Sequence, residues 1–264
     1  MDKKWTRLTR RLMRLNKVLI AYSGGVDSTF LVAAARKTLG RENVLAVTAA
    51  SETFPEEERK QAAAFAKKLD INHIIINTRE LEQKRFSRNE PDRCFHCKNE
   101  LFKKLARIAR QRGMALCDAT NFSDRADYRP GRRAAARWSV ISPLEEARFT
   151  KADVRKASRA MGIAAWNRPA QACLASRIPF GTPISAKGLA QIEAGELALK
   201  KAGFITVRLR HHGDTVRIET GIDEIGRLAH PSNRAKIARR LHRLGWRYVT
   251  LDLDGYRTGS LNPE

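Results

Sequence analysis

One segment near the N-terminus restricts the folds open to this chain. Residues 17–22 form a strand-like run, residues 23–28 read SGGVDS, and 29–39 is an apolar stretch with helical spacing. Two glycines between a strand and a helix let the backbone approach an anion closely, and the first N–H groups of the helix point towards it. The loop has neither the Lys-Ser/Thr pair of a Walker A loop nor the spacing of a dinucleotide fingerprint. The segment therefore predicts a phosphate-binding loop of another kind on an α/β fold.

Strands and helices alternate through the first two thirds of the sequence. We predict strands at 17–22, 44–49, 73–77, 114–118 and 139–141, and helices at 29–39, 55–69, 101–112 and 150–161, the last capped by Thr150. Such alternation predicts a Rossmann-like parallel sheet with helices on both faces, and a ligand crevice at the carboxyl ends of the strands.

The pattern changes near residue 169. A Pro- and Gly-rich passage at 179–183 precedes a predicted helix at 186–202, strands at 206–211 and 215–219, a helix at 232–244 and a strand at 248–253. We therefore predict two domains, 1–168 and 169–264, the second a smaller α+β unit.

The charge of the chain is strongly positive but dispersed. Its 264 residues include 51 Lys and Arg against 28 Asp and Glu, a net charge of +23. A surplus of this kind attracts polyanions, yet no basic arm or tail concentrates it. We interpret the basic face of the helix at 232–244 as a solvated face. Nucleic acid is therefore not the expected partner.

No segment has the properties of a membrane span or a secretory signal. The longest apolar runs are a few residues, far below the roughly 20 that cross a bilayer. The N-terminal segment alternates apolar residues with arginines, which predicts an amphipathic surface helix. Four cysteines are too few for a disulfide framework in a chain of this length, so we expect a reducing, cytoplasmic location.

Three of the four cysteines are candidates for chemistry. Cys94 and Cys97 form a Cys-x-x-Cys motif that we place just before the helix at 101–112, where the helix dipole and adjacent cations favour thiolates. The motif alone fits zinc, a redox pair or part of an iron–sulfur site. Cys173 lies in a loop-like segment, whereas Cys117 ends a predicted strand and reads as a buried apolar thiol.

The glycine loop resembles the PP-loop of the N-type ATP pyrophosphatase superfamily, all five fixed positions of S-G-G-x-D-S being present. This resemblance implies that the loop binds the β,γ-phosphates of ATP with Mg²⁺ while a substrate oxygen attacks the α-phosphorus. The implied ATP-binding residues are Ser23, Gly24, Gly25, Asp27 and Ser28.

Longer segments resemble the LarE family, the ATP-dependent sulfur transferases of nickel-pincer nucleotide biosynthesis. They are 127–131 (DYRPG), 142–147 (SPLEEA), 172–183 (ACLASRIPFGTP) and 207–214 (VRLRHHGD) with Arg217 and Glu219. The resemblance implies a PP-loop ATP-binding domain at 1–168 and a substrate-binding and oligomerisation domain at 169–264. The implied substrate is a pyridinium-3,5-dicarboxylate mononucleotide, whose carboxylate is adenylated and then attacked by sulfur. One departure is the sequence DATN at 118–121, where the family pattern has Gly before Thr.

The resemblance implies two alternative sulfur sources. One version of the enzyme sacrifices the sulfur of the cysteine at the position of Cys173 and leaves dehydroalanine. The other holds a [4Fe–4S] cluster on three cysteines, here Cys94, Cys97 and Cys173, with one iron free for an extra sulfide. This chain has both features, and we favour the cluster version.

Four further residues are candidates for the substrate site. Arg177, Arg208 and Arg210 could clamp the substrate phosphate and carboxylates, because a planar guanidinium suits these groups. Arg208 and Arg210 alternate on one predicted strand and so share a face. Ser176 either donates a hydrogen bond to substrate or caps a turn.

Two other functions remain open at this point. An iron–sulfur tRNA thiolase would share the PP-loop, the Cys-x-x-Cys motif and a distant cysteine, and a basic RNA-binding module would use the charge. Against the thiolase stand the passage around Cys173 and the lack of an appended RNA-binding domain in this sequence. The expected partners are the small nucleotide, sulfide or a sulfur donor protein, and further copies of the chain.

Overall fold

A computed structural model describes residues 2–126, 131–168, 172–257 and 259–261. The strands are β1 Val18–Ala21, β2 Val44–Ala50, β3 Asn72–Asn77, β4 Ala115–Cys117, β5 Val207–His212, β6 Thr215–Thr220 and β7 Tyr248–Leu251. The helices are α1 Asp2–Leu15, α2 Val26–Leu39, α3 Glu56–Lys68, α4 Lys84–Ser87, α5 Arg93–Gln111, α6 Gly131–Arg137, α7 Pro143–Glu146, α8 Lys151–Ala160, α9 Ala186–Lys201, α10 Ile225–Ala229 and α11 Pro231–Arg243. The chain forms two compact units, the first made of 1–80 and 94–171 and the second of 81–93 and 172–264.

The first unit is built on a parallel sheet in the order β3-β2-β1-β4. Alternate residues of β1 point to opposite faces: Val18 and Ile20 join one buried cluster, and Leu19 joins another. Helices α1, α2 and α8 contribute to the first cluster, and α5 and α6 to the second. The prediction of a parallel α/β sheet with helices on both faces is therefore confirmed.

Two predicted elements of this unit differ from the observed ones. The strand predicted at 139–141 is a single bridge between Ile141 and Cys117, because Ser139 has a φ of 52° and Pro143 begins α7. Helix α5 begins at Arg93, eight residues before the predicted start at 101. Phe95 packs on the core, and Asn99 accepts a hydrogen bond from Trp138 Nε1 at 3.0 Å. Such tertiary contacts stabilise a first helical stretch whose local sequence is mostly polar.

The second unit is a three-stranded sheet in the order β5-β6-β7, with β5 antiparallel and β7 parallel to β6. Gly213 and Asp214 connect β5 to β6, and Gly213 has the positive φ of 68° that this tight turn requires. Helix α9 lies on β5, and Gly195 allows close approach because a Cβ there would lie 2.4 Å from Leu209 Cδ1. The smaller α+β unit expected at the C-terminal end is therefore present.

The second unit also contains residues 81–93, which lie within the predicted first domain, 1–168. The buried Asn89 side chain donates hydrogen bonds to the carbonyl oxygens of Pro179 at 2.7 Å and Thr182 at 2.8 Å. Arg93 donates to Asn89 Oδ1 and lies over the Phe180 ring. These contacts group 81–93 with 172–264, so the unit is not continuous in sequence as the division at 168/169 assumed.

The N-terminal helix and the capped helix have the predicted form. Leu8 and Leu12 on α1 are fully buried, while most of its arginines are exposed. Helix α8 begins with a capping box in which Thr150 Oγ1 accepts from the Asp153 N–H and the Asp153 carboxylate accepts from the Thr150 N–H. Among the described residues, no helix is long and apolar enough to cross a membrane.

Candidate active site

The glycine loop (residues 23–28) connects β1 to α2 at the carboxyl edge of the parallel sheet. Gly25 is the N-cap of α2 and has no side chain to occupy the first N–H groups of the helix. The two loop serines close the turn: their hydroxyl oxygens lie 3.2 Å apart, and Ser28 Oγ donates to the Gly25 carbonyl at 3.2 Å. The first turn of α2 therefore presents backbone donors to an anion, as the sequence predicts.

Gly24 lies in the loop against helix α3. Its φ is +72°, and an added Cβ would lie 2.7 Å from Ala62 Cβ and 2.9 Å from Ala62 Cα. The hydroxyl of Tyr22 donates to the Ala62 carbonyl at 3.3 Å. Helix α3 is therefore a rigid surface on which the loop rests.

We expect Gly24→Ala to abolish nucleotide binding by displacing the loop. The new Cβ would meet backbone atoms of α3 that cannot rotate away, in addition to a left-handed φ that costs about 1–2 kcal/mol. The matched control is Gly113→Ala, because Gly113 has a φ of +61° but no atom within 4 Å of the added Cβ. Calorimetric titration with ATP should show binding in the control alone; binding in both variants would contradict the packing argument.

Asp27 presents an unused carboxylate oxygen at the head of α2. One oxygen pairs with Lys151 Nζ, whereas Oδ1 is buried and has no hydrogen-bond partner among the described residues. Mg²⁺ is commonly bound by one or two carboxylates together with substrate phosphates. The orphaned oxygen therefore fits a Mg²⁺ ion that arrives with ATP.

Three residues beside the loop were missed by sequence analysis. Lys151, the first residue of α8, contacts Asp27, and Arg168 donates to the Gly24 carbonyl at 3.2 Å and to Glu58 Oε2 at 2.6 Å. Lys151 is 124 residues from Asp27 in sequence, Arg168 is 144 residues from Gly24, and Glu58 is 110 residues from Arg168. No local pattern marks them, since each is one charged residue in a chain rich in charge.

The turn after β4 tolerates the departure from the family pattern at residue 119. Asp118 Oδ2 accepts from Thr120 Oγ1 at 2.8 Å, and Asp118 Oδ1 accepts from Ser142 Oγ at 2.7 Å. Ala119 does not have a positive φ. Glycine is therefore not required there by the backbone.

Cys94 and Cys97 lie within the first two turns of α5 rather than before the helix as predicted. Their spacing of three residues puts both thiols on one face, Cys94 exposed and Cys97 half-buried. Cys97 Sγ donates to Oε1 of the buried Glu80 at 3.9 Å. Neither thiol is in a disulfide, and the two share a surface at the positive end of a 19-residue helix.

Cys117 is the inert member of the set. It is fully buried in β4, and burial, followed by the nearby Asp118 carboxylate, raises its pKa well above the ordinary value. A thiol that stays protonated is a poor nucleophile and metal ligand.

Cys173 belongs to the second unit and is the N-cap of a 3₁₀ turn at Leu174–Arg177. Its carbonyl accepts from the Ser176 N–H at 3.0 Å, Ser176 Oγ at 2.8 Å and Arg177 Nη1 at 3.1 Å. Its half-buried thiol is free. Ser176 therefore caps the turn that presents the thiol, one of the two roles that sequence analysis left open.

Arg177 is buried inside this structure rather than open to a ligand. Its guanidinium donates to both carboxylate oxygens of Glu196, at 2.8 and 3.0 Å, and Nη1 also donates to the Ala172 carbonyl at 2.7 Å. Burial alone would lower the pKa of Arg177, but the Glu196 carboxylate outweighs it and the pKa rises. The geometry makes Arg177 a support of the Cys173 turn, and its role as a substrate clamp stays a prediction.

Arg208 and Arg210 lie on one face of β5, as predicted, and both are buried. Arg210 donates to Glu219 Oε2 at 2.6 Å and to the Ser176 carbonyl at 2.9 Å, while its buried Nε has no partner in the part of the chain that the structure describes. Burial, with Arg177 next in importance, lowers the pKa of Arg208, and its guanidinium lies 5.1 Å from the Tyr256 ring. The cluster contains Arg177, Arg208, Arg210 and Arg217 with the acids Glu196, Glu219 and Asp252. Its surplus of positive charge and its orphaned donor fit an anionic group.

Glu196 is the acidic member that sequence analysis missed. It interrupts the apolar stripe of α9 formed by Leu189, Ile192 and Leu199, and it also accepts from the Leu209 N–H at 3.1 Å. A carboxylate within the apolar stripe of a helix predicts a buried ion pair, because charged side chains are rarely buried unless they are paired.

We expect Glu196→Gln to destabilise the second unit by about 3–5 kcal/mol, because it leaves the buried Arg177 without its counter-charge. Urea unfolding measures this change. The control is Asp254→Asn, which breaks an ion pair whose side chains are 57% and 67% exposed and should change stability by less than about 1 kcal/mol. Equal changes in the free energy of unfolding for the two variants would contradict the larger contribution expected of the buried Arg177–Glu196 pair.

The three predicted metal ligands are divided between the units. Cys94 and Cys97 belong to the first and Cys173 to the second. Over the described ranges, no group of three or more His, Cys, Asp or Glu side chains could hold a metal ion. Residues 127–130 of the family-like segment at 127–131 lie outside the described residues.

Comparison with known proteins identifies relatives over the whole chain. The family model described as NAD synthase matches residues 5–125. A pyridinium-3,5-bisthiocarboxylic acid mononucleotide synthase of Lactiplantibacillus plantarum is 38% identical over 260 residues, covering 98% of this chain and 94% of the relative. An uncharacterised protein of Synechocystis is 36% identical, covering 99% and 98%. A glutamine-dependent NAD(+) synthetase of Aquifex aeolicus is 36% identical over 78 residues, covering 30% and 14%.

The match to NAD synthase covers the glycine loop and the parallel sheet, whereas the match to the mononucleotide synthase continues through the Cys173 turn and the arginine cluster. The chain therefore belongs to the LarE family of ATP-dependent sulfur transferases, within the PP-loop superfamily.

Proposed function

We propose that the protein adenylates a carboxylate of pyridinium-3,5-dicarboxylate mononucleotide and replaces the adenylate by sulfur. The observation that carries the proposal is the buried Asp27 oxygen beside the glycine loop, for which the described ranges contain no hydrogen-bond partner. The relative named as a mononucleotide synthase supports this choice of substrate.

The first step uses the glycine loop. Backbone N–H groups at the start of α2 and the hydroxyls of Ser23 and Ser28 bind the β,γ-phosphates. Asp27 would hold a Mg²⁺ ion, which would supply positive charge to these phosphates. A substrate carboxylate oxygen attacks the α-phosphorus, the bond to the β-phosphate oxygen breaks, and pyrophosphate leaves. Lys151, already beside Asp27, adds a positive charge for the departing phosphates.

The second unit provides groups suited to an anionic substrate. Arg208 and Arg210 share a face, and the orphaned Arg210 Nε offers one hydrogen-bond donor to a phosphate or carboxylate oxygen. Because Arg177 holds the carbonyls of Ala172 and Cys173, it acts on this site as a positioning residue.

The sulfur step exchanges AMP for sulfur at the activated carbon. AMP leaves far more readily than the oxygen of a free carboxylate, so a sulfur nucleophile can displace it. A [4Fe–4S] cluster on Cys94, Cys97 and Cys173 would supply sulfide from its remaining iron. The paired thiols of α5 fit two ligands of such a cluster, and the supported Cys173 turn offers the third.

The alternative sulfur source needs Cys173 alone. Its thiolate would attack the activated carbon and displace AMP. Loss of the Cα proton with cleavage of the Cβ–Sγ bond would then leave the sulfur on the substrate and dehydroalanine in the chain. This route ends after one turnover.

We also propose that the chain acts as a homo-oligomer that receives sulfur from sulfide or a donor protein. Ile205, Ile222 and Leu253 are 80%, 74% and 81% exposed and lie at one end of the second sheet, where β5 begins and β6 and β7 end. Exposed, branched apolar side chains at one end of a sheet favour an interface with another protein surface.

The charge of +23 favours one competing function, tRNA thiolation. The acceptor that stimulates pyrophosphate release distinguishes tRNA thiolation from the proposed function. We expect the pyridinium mononucleotide to stimulate release and excess tRNA not to compete at physiological salt, because dispersed charge gives weak, screened binding. Release that depends on tRNA would favour the thiolase, and the lack of release with either acceptor would contradict both.

A further inference from the structure

Arg168 makes an unusual contact with the glycine loop of the first unit. It follows a 3₁₀ turn at Ala164–Asn167, and its guanidinium donates to the Gly24 carbonyl oxygen at 3.2 Å. It also donates to Glu58 Oε2 at 2.6 Å and lies 5.7 Å from the Phe65 ring. The side chains of Arg168 and Glu58 are 17% and 7% exposed. Such burial makes this contact firmer than a surface ion pair.

The direction of the Gly24 carbonyl decides the direction of a phosphate-binding donor. The Gly24 C=O and the Gly25 N–H belong to one planar trans peptide, so they point in opposite directions. A carbonyl held towards Arg168 therefore keeps the Gly25 N–H on the other side, towards the interior of the loop. There the N–H makes only a long contact of 3.4 Å, to Ser23 Oγ.

Within the described loop, only the long contact of the Gly25 N–H with Ser23 Oγ opposes rotation of this peptide. Rotation of the peptide changes ψ of Gly24 and φ of Gly25, and glycine populates both halves of φ space with little cost. The flipped peptide would point a carbonyl oxygen at the phosphates in place of an N–H group. An external donor to the Gly24 carbonyl is therefore needed to hold the orientation that binds an anion.

Helix α3 supports the donor. Glu58, Ala62 and Phe65 follow one another at helical spacing and share a face. Glu58 orients the guanidinium, Ala62 supports Gly24, and Phe65 lies beside the guanidinium. Since Glu58 balances the charge of Arg168, the effect on the loop comes from the orientation of the peptide rather than from added positive charge.

We propose that Arg168 is a positioning residue that locks the Gly24–Gly25 peptide with the Gly25 N–H facing the phosphates of ATP. The inference rests on the proposed function in that ATP is the ligand of the loop. It extends that function by naming the group that keeps the loop competent to bind, and Glu58 as the group that orients it.

Calorimetric titration with ATP and with pyrophosphate tests the proposal. We expect Arg168→Ala to weaken both ligands by about tenfold or more, the loss of one well-placed donor. Arg168→Lys keeps one donor and should recover part of the affinity. Arg36→Ala, which removes a partly exposed cation paired with Asp70 in the same unit, should bind as the unaltered chain does.

Thermal unfolding and the Gly25 amide resonance complete the test. In Arg168→Ala the resonance of isotope-labelled Gly25 should move or broaden as the peptide rotates, while Arg168→Lys stays close to the unaltered chain. Unchanged affinity in a folded Arg168→Ala chain overturns the inference alone, and so does an equal loss in Arg36→Ala. If Arg168→Ala does not fold, unaltered affinity together with an unshifted Gly25 resonance in Glu58→Ala overturns it. Failure of the unaltered chain to bind ATP overturns the proposed function as well.

Discussion

Asp27→Asn should reduce pyrophosphate release by at least about 100-fold while the protein stays folded. The variant keeps the shape of the side chain but removes the charge, and metal-assisted charge stabilisation is worth several kcal/mol, each 1.36 kcal/mol being a factor of ten in rate. Asp27 Oδ1 has no hydrogen-bond partner among the described residues, and the ion pair of Oδ2 with Lys151 is partly exposed, so its loss should cost at most about 1 kcal/mol. Pyrophosphate release, measured with saturating substrate and a range of Mg²⁺ concentrations, gives the result.

The control for this variant is Asp70→Asn. Asp70 is an exposed acid in the same unit, paired with Arg36 and Arg41, so the same charge is removed away from the loop. Release in the control should match that of the unaltered chain. Undiminished release in Asp27→Asn would remove Asp27 from the metal site and with it the main support for the ATP assignment.

Cys94→Ala should abolish repeated sulfur transfer while leaving pyrophosphate release intact. Loss of one thiolate prevents a three-cysteine cluster, whereas the glycine loop does not involve α5. The chain is reconstituted anaerobically with iron and sulfide, and visible absorption and product per chain are measured. We expect both to be lost in Cys94→Ala and in Cys173→Ala.

Cys117→Ala is the matched control, because it removes a thiol that burial keeps protonated. It should lower stability through the cavity it leaves but retain the absorption and turnover. Full single-turnover activity in Cys94→Ala, with dehydroalanine at position 173, would instead establish the sacrificial route.

The glycine loop and its sheet could be predicted because their signals are local. Loop, strand and helix are adjacent in sequence, and the apolar runs of β1 and β2 have the length and burial of central parallel strands. The start of α5 could not be predicted, since Phe95 and Asn99 gain their helical environment from residues of a distant segment. Local propensity is a weak guide where tertiary contacts decide.

The candidate site likewise has some features that the sequence predicts and others that it does not. Strand alternation correctly put Arg208 and Arg210 on one face, but it gives no information about burial or partners. The sequence does not reveal the partner of Arg177, because Glu196, which accepts hydrogen bonds from its guanidinium, lies 19 residues away on α9. No local sequence pattern marks Arg168 as a site residue, since its partner Glu58 is 110 residues distant.

The most direct test of sulfur transfer is the mass of the nucleotide after reaction. The full chain is incubated anaerobically with ATP, Mg²⁺, sulfide and pyridinium-3,5-dicarboxylate mononucleotide, with tRNA present as a competing acceptor, and both acceptors are analysed by mass spectrometry. We predict a mononucleotide in which sulfur has replaced a carboxylate oxygen, formed together with AMP and pyrophosphate. An unchanged mononucleotide, with sulfur in the tRNA or in neither acceptor, would contradict the proposed function.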